Sequence, residues 1–403
     1  MEMSRERPLQ QLPCLNEQLD GSMLSQHKPM KMLDKENTPQ ELIQCWSPPH
    51  KLPRISTRGK ENEFVLGRRP RRRKEPAGLS WDQLPDELLL GIFYCLPLRD
   101  LLDVARVCRR WCRLAFDESL WSSVDLLGVV RLDAALSQVL PAGVLTLRCP
   151  RSCIGEPHLA RAPSLRVQRM DLSSCIVSPS VLGDIMSRCC HLQDLSLEGL
   201  ELSDGILLSL AQNRDLVRLN LSGCSGVSPQ PLGDMLRACT RLEELNVSWC
   251  DFSSEHVKSV IGNIPSDVTQ LDVSGYRQNL TMEDVKVLVE RCPKLTHLDL
   301  SDSVLVTPES FQFLHSLASL RHLGLSRCYQ IHPAALTELE KLPALRTLEA
   351  FGLVQESYLP VLSKALPRLL INTRWFSAVA RPTPADCRDG AMWGVRCRLS
   401  YRS

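Results

Sequence analysis

Residues 216–224 read LVRLNLSGC, and the leucines at 216, 219 and 221 with a cysteine three positions on decide the fold. The same spacing recurs at Val167/Met170/Leu172/Cys175, Leu192/Leu195/Leu197, Leu242/Leu245/Val247/Cys250, Val268/Leu271/Val273, Leu295/Leu298/Leu300, Leu320/Leu323/Leu325/Cys328 and Leu345/Leu348/Ala350. Successive starts lie 24 to 27 residues apart, the period of a leucine-rich repeat. In such a unit a short strand carries L-x-L and a helix returns along the outside. Stacking neighbours then buries leucines that one unit alone would leave in water. The expected fold class is therefore α/β, a curved leucine-rich-repeat solenoid or horseshoe over 123–370. Weaker copies at Leu120/Val124/Leu126 and around Val144/Leu147 read as degenerate end repeats.

Local chemistry agrees with the period. Ser178-Pro179, Ser228-Pro229 and Thr307-Pro308 each set a hydroxyl before a proline, the pairing that starts a helix. The cysteines at 175, 224, 250 and 328 fall at the turn after the strand, where a small, weakly polar side chain packs between repeats. The chain has 17 cysteines in 403 residues, and neither Cys108/Cys112 nor Cys149/Cys153 has a matching second pair at metal-ligand spacing. Thiols, no metal and no cofactor are expected.

Upstream, residues 1–78 hold nine prolines, 15 Lys/Arg and 10 Asp/Glu, with no sustained apolar period. Such a segment cannot bury enough surface to offset its ordering entropy, so a disordered regulatory arm is expected. Within it, Arg68, Arg69, Arg71, Arg72, Arg73 and Lys74 form a candidate nuclear-import run, which points to nucleus and cytoplasm. Thr38 and Ser47, each before proline, are candidate phosphorylation sites. No run of eighteen apolar residues and no secretory leader is readable, so an intracellular chain without a membrane partner is expected.

Between arm and solenoid, residues 81–121 read WDQLPDELLLGIFYCLPLRDLLDVARVCRRWCRLAFDESLW. Asp86 and Glu87 complement a helix start at Pro85, and Pro97 ends that helix. Leu84, Leu88, Leu89, Leu90, Ile92, Phe93 and Leu96 cover more than one helical face, too much for so small a body to hide, so a partner is expected over the remainder. The run L-P-D-E-L-L-x-x-I-F, then V-C-R-R-W and a closing S-L-W, resembles an F-box, here 79–122. That resemblance implies three helices docking on an adaptor of the S-phase kinase-associated protein 1 type, and through it on cullin and RING subunits. It assigns the contact to Leu84, Pro85, Leu88, Ile92, Phe93, Leu96 and Trp111.

In the repeats, side chains flanking the central strand leucine point to the concave side. They include Asp171, Asp194, Glu244, Asp272, Asp299 and Glu349 against Arg169 and Arg218. The tail 371–403 lacks the repeat but carries arginines at 374, 381, 388, 396, 398 and 402 against Asp386 and Asp389. Charge complementarity, with Trp375, Phe376 and Trp393 as anchors, predicts a tail folded back along the concave face. Two residues past each strand's last apolar position stand Ser174, Gly199, Gly223, Trp249, Gly275, Asp302, Arg327 and Gly352. The three large ones, with Tyr276, Arg277 and Tyr329 beside them, mark an interaction edge.

From residue 80 onward, the stretches SWDQLPDELLLGIF, RCPRS, LQDLSLEGL, LVRLNLSGCSG, HLDLSDSV, LSRCY, ARPT and WGVRCRLS resemble the F-box and leucine-rich-repeat substrate receptors of SCF ubiquitin ligases. In particular they resemble the branch that takes a phosphorylated cyclin-dependent-kinase inhibitor together with a Cks-family accessory protein. The resemblance implies an accessory-protein and substrate surface at Trp249, Arg277, Asp302, Arg327, Tyr329 and Phe376. The arm shares E-N-x-P-Q-E-L and S-P-P with that family but little before them, which leaves a cyclin–kinase partner resting on weak similarity. Two K-E-N triplets, Lys35-Glu36-Asn37 and Lys60-Glu61-Asn62, resemble a degradation signal. No Gly-rich phosphate loop, H-E-x-x-H or G-x-S-x-G occurs, so a non-catalytic receptor is expected. The weighed alternative is a nuclear repeat scaffold acting without a cullin. Nucleic acid is not an expected partner, because the basic run is linear and the concave face acidic.

Overall fold

A computed structural model describes residues 81–128, 132–159, 164–383 and 391–401. The arm 1–78 lies outside the described residues, and with it the import run, both K-E-N triplets, Thr38 and Ser47; tail residues Asp386, Arg388, Asp389 and Arg402 lie outside them too. No helix among the described residues is long and apolar enough to cross a membrane.

Three helices open the folded part: α1 Asp86–Tyr94, α2 Leu98–Val104 and α3 Arg109–Ala115. Pro85 and Pro97 sit at the N-cap positions of α1 and α2, so each helix begins where proline's fixed φ costs nothing. Arg110 ties α3 to the start of α1. Its Nε donates to Asp86 Oδ1 at 2.8 Å, while its other nitrogens donate to the carbonyls of Asp82 and Leu84. That hydrogen bond and the Arg110 and Arg113 charges hold the Asp86 carboxyl below the usual carboxylate range. Trp121 is buried, donates from Nε1 to the Ala115 carbonyl at 2.8 Å and stacks on Phe116, so the closing S-L-W joins the helices to the next layer.

Among the described residues the solenoid is one sheet of twelve parallel strands. They are β1 Ser123–Asp125, β2 Thr146–Arg148, β3 Arg169–Asp171, β4 Asp194–Ser196, β5 Arg218–Asn220 and β6 Glu244–Asn246, then β7 Gln270–Asp272, β8 His297–Asp299, β9 His322–Gly324, β10 Thr347–Glu349, β11 Leu370–Ile371 and β12 Leu399–Ser400. Strands follow chain order from β1 to β11, and β12 adds to the outer edge of β1. The central leucines stack in register, Leu195 on Leu219 on Leu245 on Leu271 on Leu298, all fully buried. The core runs without a break from Leu89 in α1 to Leu366 in the last repeat. Long α-helices such as Pro229–Ala238 and Met282–Arg291 return on the outside of the middle repeats. In later repeats a 3-10 turn, Pro308–Ser310, leads into the short α-helix Phe311–Leu314, the 3-10 helix Pro333–Lys341 follows, and an α-helix returns at Leu359–Ala365.

Two columns carry the turns after the strands. At the second concave-facing position, Asp171, Asn220, Asn246, Asp272 and Asp299 each accept the amide of the serine two residues on, at 2.9–3.0 Å. These Asx turns use side chains that composition alone reads as a free acidic surface. Next, the thiols of Cys175, Cys224, Cys250 and Cys328 donate to carbonyls of the preceding repeat at 3.0–3.3 Å. Burial pushes Cys175 up to about 11 and Cys224 and Cys328 up to about 12, so they stay protonated and unreactive.

The tail crosses the inner face of the sheet. Thr373 Oγ1 donates to Glu349 Oε1 at 2.8 Å, Asn246 Nδ2 to the Val379 carbonyl at 3.1 Å, and the Ala380 amide to Glu244 Oε2 at 3.2 Å. Arg381 faces Glu198 at 3.7 Å. Burial under this cover, followed by the nearby Asp299 charge, raises Asp272 to about 7, while burial and His322 lower His297 to about 4. The two act in opposite directions. A carboxyl with a raised folded pKa takes stability away as pH climbs from about 4 to 7, whereas a histidine with a depressed one adds stability as pH climbs from about 4 to 6.5. Asp272→Asn keeps the Asx turn, as Asn246 shows one repeat earlier. It is expected to raise the melting temperature at pH 8 by about 2–4 °C, with the gain shrinking toward pH 4. Thermal melts across that range check it; a variant less stable than wild type at pH 8 would contradict the sign.

Candidate functional site

Two surfaces of this frame remain for partners. The first lies on the outer face of α1. Leu88 and Ile92, one helical turn apart, are 56% and 40% exposed, and a Cβ at Gly91 between them would meet nothing within 4 Å. Pro85 is exposed at the helix start; Leu84, Leu96 and Trp111 are half-buried and rest on the core. Phe93 departs from the expected contact set. Only 2% exposed, it packs edge-on against Trp111 at 5.4 Å, because the wide apolar arc of α1 is split between a buried row, Leu89 and Phe93, and an outward row, Leu88 and Ile92. Leu89 and Phe93 are thus hidden within the chain, and the remainder expected to face a partner narrows to the row of Leu88 and Ile92. Trp81, edge-on to Trp111 at 5.8 Å, and Val107 after α2 are exposed apolar neighbours that sequence reading missed.

The second surface is the rim where the strands end. Backbone bonds link it turn to turn: Trp249 N to Ser274 O, Arg277 N to Asp302 O, Asp302 N to Ser326 O and Arg327 N to Phe351 O, at 2.8–3.0 Å. Every residue of the small column sits at positive φ. Gly199, Gly223, Gly275 and Gly352 take it freely at 68–88°, but Trp249, Asp302 and Arg327 are held at 57–59°, and Arg277 nearby at 45°. Large side chains in this region cost on the order of 1 kcal/mol each. Trp249 is 48% exposed and Tyr329 65% exposed. Arg327 grips Asp302 through two bonds, Nε to Oδ1 at 2.7 Å and Nη2 to Oδ2, which fixes its guanidinium plane. Trp375 stacks on Phe351 at 4.1 Å, and Phe376 beside it is exposed, so the tail enters at this rim. Tyr276 does not belong to it: it is buried, gives its hydroxyl to the Val247 carbonyl and stacks on Phe252.

Two glycines seat the rim's large residues. A Cβ at Gly275 would lie 2.7 Å from Trp249 Cδ2, and one at Gly352 2.9 Å from Arg327 Cγ, so indole and arginine stem lie flat on bare backbone. Gly275→Ala, at φ +88°, is expected to cost about 1–2 kcal/mol of stability and to lift the indole from its seat. Tryptophan fluorescence and a thermal melt check this; an unchanged emission spectrum with unchanged stability would contradict it.

Comparison with known proteins places this geometry. A family model described as the SKP2 LRR domain matches residues 134–400, and one described as F-box-like matches residues 81–127. F-box/LRR-repeat protein 12 of Homo sapiens is 54% identical over 44 residues, 11% of this chain and 14% of its own length, so the match spans about a seventh of that relative. The F-box protein SKIP19 of Arabidopsis thaliana is 26% identical over 263 residues, 63% of this chain and 71% of its own. F-box/LRR-repeat protein 8 of Mus musculus is 32% identical over 117 residues, 29% and 28% of the two chains. A crystal structure of an internalin from Listeria monocytogenes superposes with a TM-score of 0.41 and 15% identity, over 62% of this chain and 72% of its own.

Proposed function

Since the chain belongs to the F-box family with an SKP2-type leucine-rich-repeat domain, we propose that it is a substrate receptor of an SCF-type cullin-RING ubiquitin ligase. The observation that carries the reading is the pairing of Leu88 and Ile92, exposed on a helix whose Leu89 and Phe93 are buried, with a separate rim where Trp249 and Arg327 are held at positive φ beside the exposed Tyr329. One surface joins the ligase through an adaptor of the S-phase kinase-associated protein 1 type, and the other selects the cargo. Catalysis belongs to the partners. The receptor contributes proximity, holding substrate lysines near the charged transfer enzyme so that encounter becomes effectively intramolecular.

The finer reading follows the kind of receptor called S-phase kinase-associated protein 2. A Cks-family accessory protein seats on Trp249, Arg277, Asp302, Arg327, Tyr329 and Phe376, and the pair takes a phosphorylated cyclin-dependent-kinase inhibitor. Arg327 is already engaged by Asp302, which suits a surface that leaves phosphate reading to the accessory protein. A cell-cycle role in nucleus and cytoplasm and a cyclin–kinase contact through the arm belong to the same proposal. The test is reconstitution with adaptor, cullin, RING subunit and Cks-family protein. Ubiquitin transfer to the phosphorylated inhibitor, absent with the unphosphorylated one, is expected; failure of the full chain to capture the adaptor removes the reading and leaves a cullin-free scaffold.

A further inference from the structure

Arg398 stands in the tail, far along the chain from the helices it meets. Its Nη1 donates to the Tyr94 carbonyl at 2.6 Å, its Nε to the Leu120 carbonyl at 3.1 Å with Nη2 on the same oxygen, and its carbon Cζ lies 4.8 Å over the Tyr94 ring. Its own amide donates to Ser123 Oγ at 2.9 Å, and the next residue, Leu399, pairs with Val124 of β1. One residue therefore joins three pieces: its side chain holds the carboxyl end of α1 and the turn that closes the helical part, and its backbone holds the first strand of the solenoid. The Tyr94 carbonyl is one that an α-helix leaves without an intrahelical donor, and a cation there meets the negative end of the helix dipole. A planar guanidinium can satisfy two carbonyls at once while stacking on a ring; an ammonium cannot. Burial makes the charged form less favourable and lowers the pKa of Arg398, so its charge is held by these carbonyls rather than by water.

We propose that Arg398 is a positioning residue that fixes the angle between the adaptor-docking helices and the cargo-selecting solenoid. Its consequence for ubiquitin transfer rests on the function proposed above, because the angle sets which substrate lysines come within reach of the transfer enzyme. The clamp itself does not depend on that reading.

The experiment uses the full chain bound to the adaptor, as wild type, Arg398→Ala and Arg398→Lys. In the alanine variant, amide hydrogen exchange over 95–98 and 120–126 is expected to rise about tenfold, with the repeats from 192 to 325 unchanged. Adaptor affinity stays within about twofold, since Arg398 bonds to the Tyr94 and Leu120 carbonyls and not to the outward side chains Leu88 and Ile92. The set of modified substrate lysines broadens, and the lysine variant falls between. Unchanged exchange in both variants overturns the clamp, as does a rise spread evenly through the solenoid, which would make Arg398 a general stability residue. A wild-type complex that transfers no ubiquitin defeats the functional reading alone, and the exchange measurement still decides the clamp.

Discussion

Exchanging Leu88 and Ile92 together for aspartate is expected to weaken adaptor capture roughly a thousandfold while the melting temperature stays within about 2 °C of wild type. Covering each side chain in a complex is worth about 2 kcal/mol, and an aspartate in its place must also be desolvated. Their exposure explains the silence in stability, because surface substitutions away from special features stay within about 0.5 kcal/mol. Phe93→Asp is the instructive contrast. With its ring buried against Trp111, it is expected to unfold the helical part, so lost binding there says nothing about contact. Titration calorimetry beside thermal melts separates the two; a double aspartate variant that binds within threefold of wild type would remove α1 from the interface.

Trp249→Gly carries the second large effect, and its two arms have opposite signs. At φ 57° the tryptophan is strained where neighbouring repeats use glycine, so the exchange relieves the backbone and is expected to leave stability unchanged or to raise it by up to about 1 kcal/mol. Capture of the proposed Cks-family protein is expected to fall by about 2–3 kcal/mol, roughly thirty- to 160-fold, the loss typical of an exposed aromatic anchor. A residue retained for folding would lose stability and leave capture alone. Denaturant titration and a binding assay on the same preparation therefore decide between a docking role and a packing role.

The repeat was readable because leucines at L-x-x-L-x-L report burial directly, and nothing else in the chain demands that period. Side chains of mixed purpose were harder. Asp171, Asp272 and Asp299 look like free surface acids in a one-letter string, but each turns to cap its own backbone two residues on. Ile92 and Phe93 are adjacent apolar residues on one helix, and only the packing of α3 decides that one faces water and the other Trp111. Tyr276 was misread for the same reason: its neighbour Arg277 is exposed, and a residue's place one step along a turn reverses its direction. The rim of Trp249, Asp302 and Arg327 was legible as departures from small residues in a column, but the left-handed backbone behind that column was not. Arg398 was counted as one more positive charge for the concave acids; its partners are carbonyls, which carry no signature in composition.

The order of the sheet has a bearing on biosynthesis. Strand β12 lies against β1, so the first edge of the sheet is closed by a segment that leaves the ribosome after the other eleven described strands. Domains generally begin to fold from the amino-terminal side during translation, so until that segment emerges the nascent chain carries an unpaired edge on β1, the kind of template on which other polypeptides pair. Chains cut short before Cys397 would have complete repeats but a leading edge open to aggregation or chaperone capture.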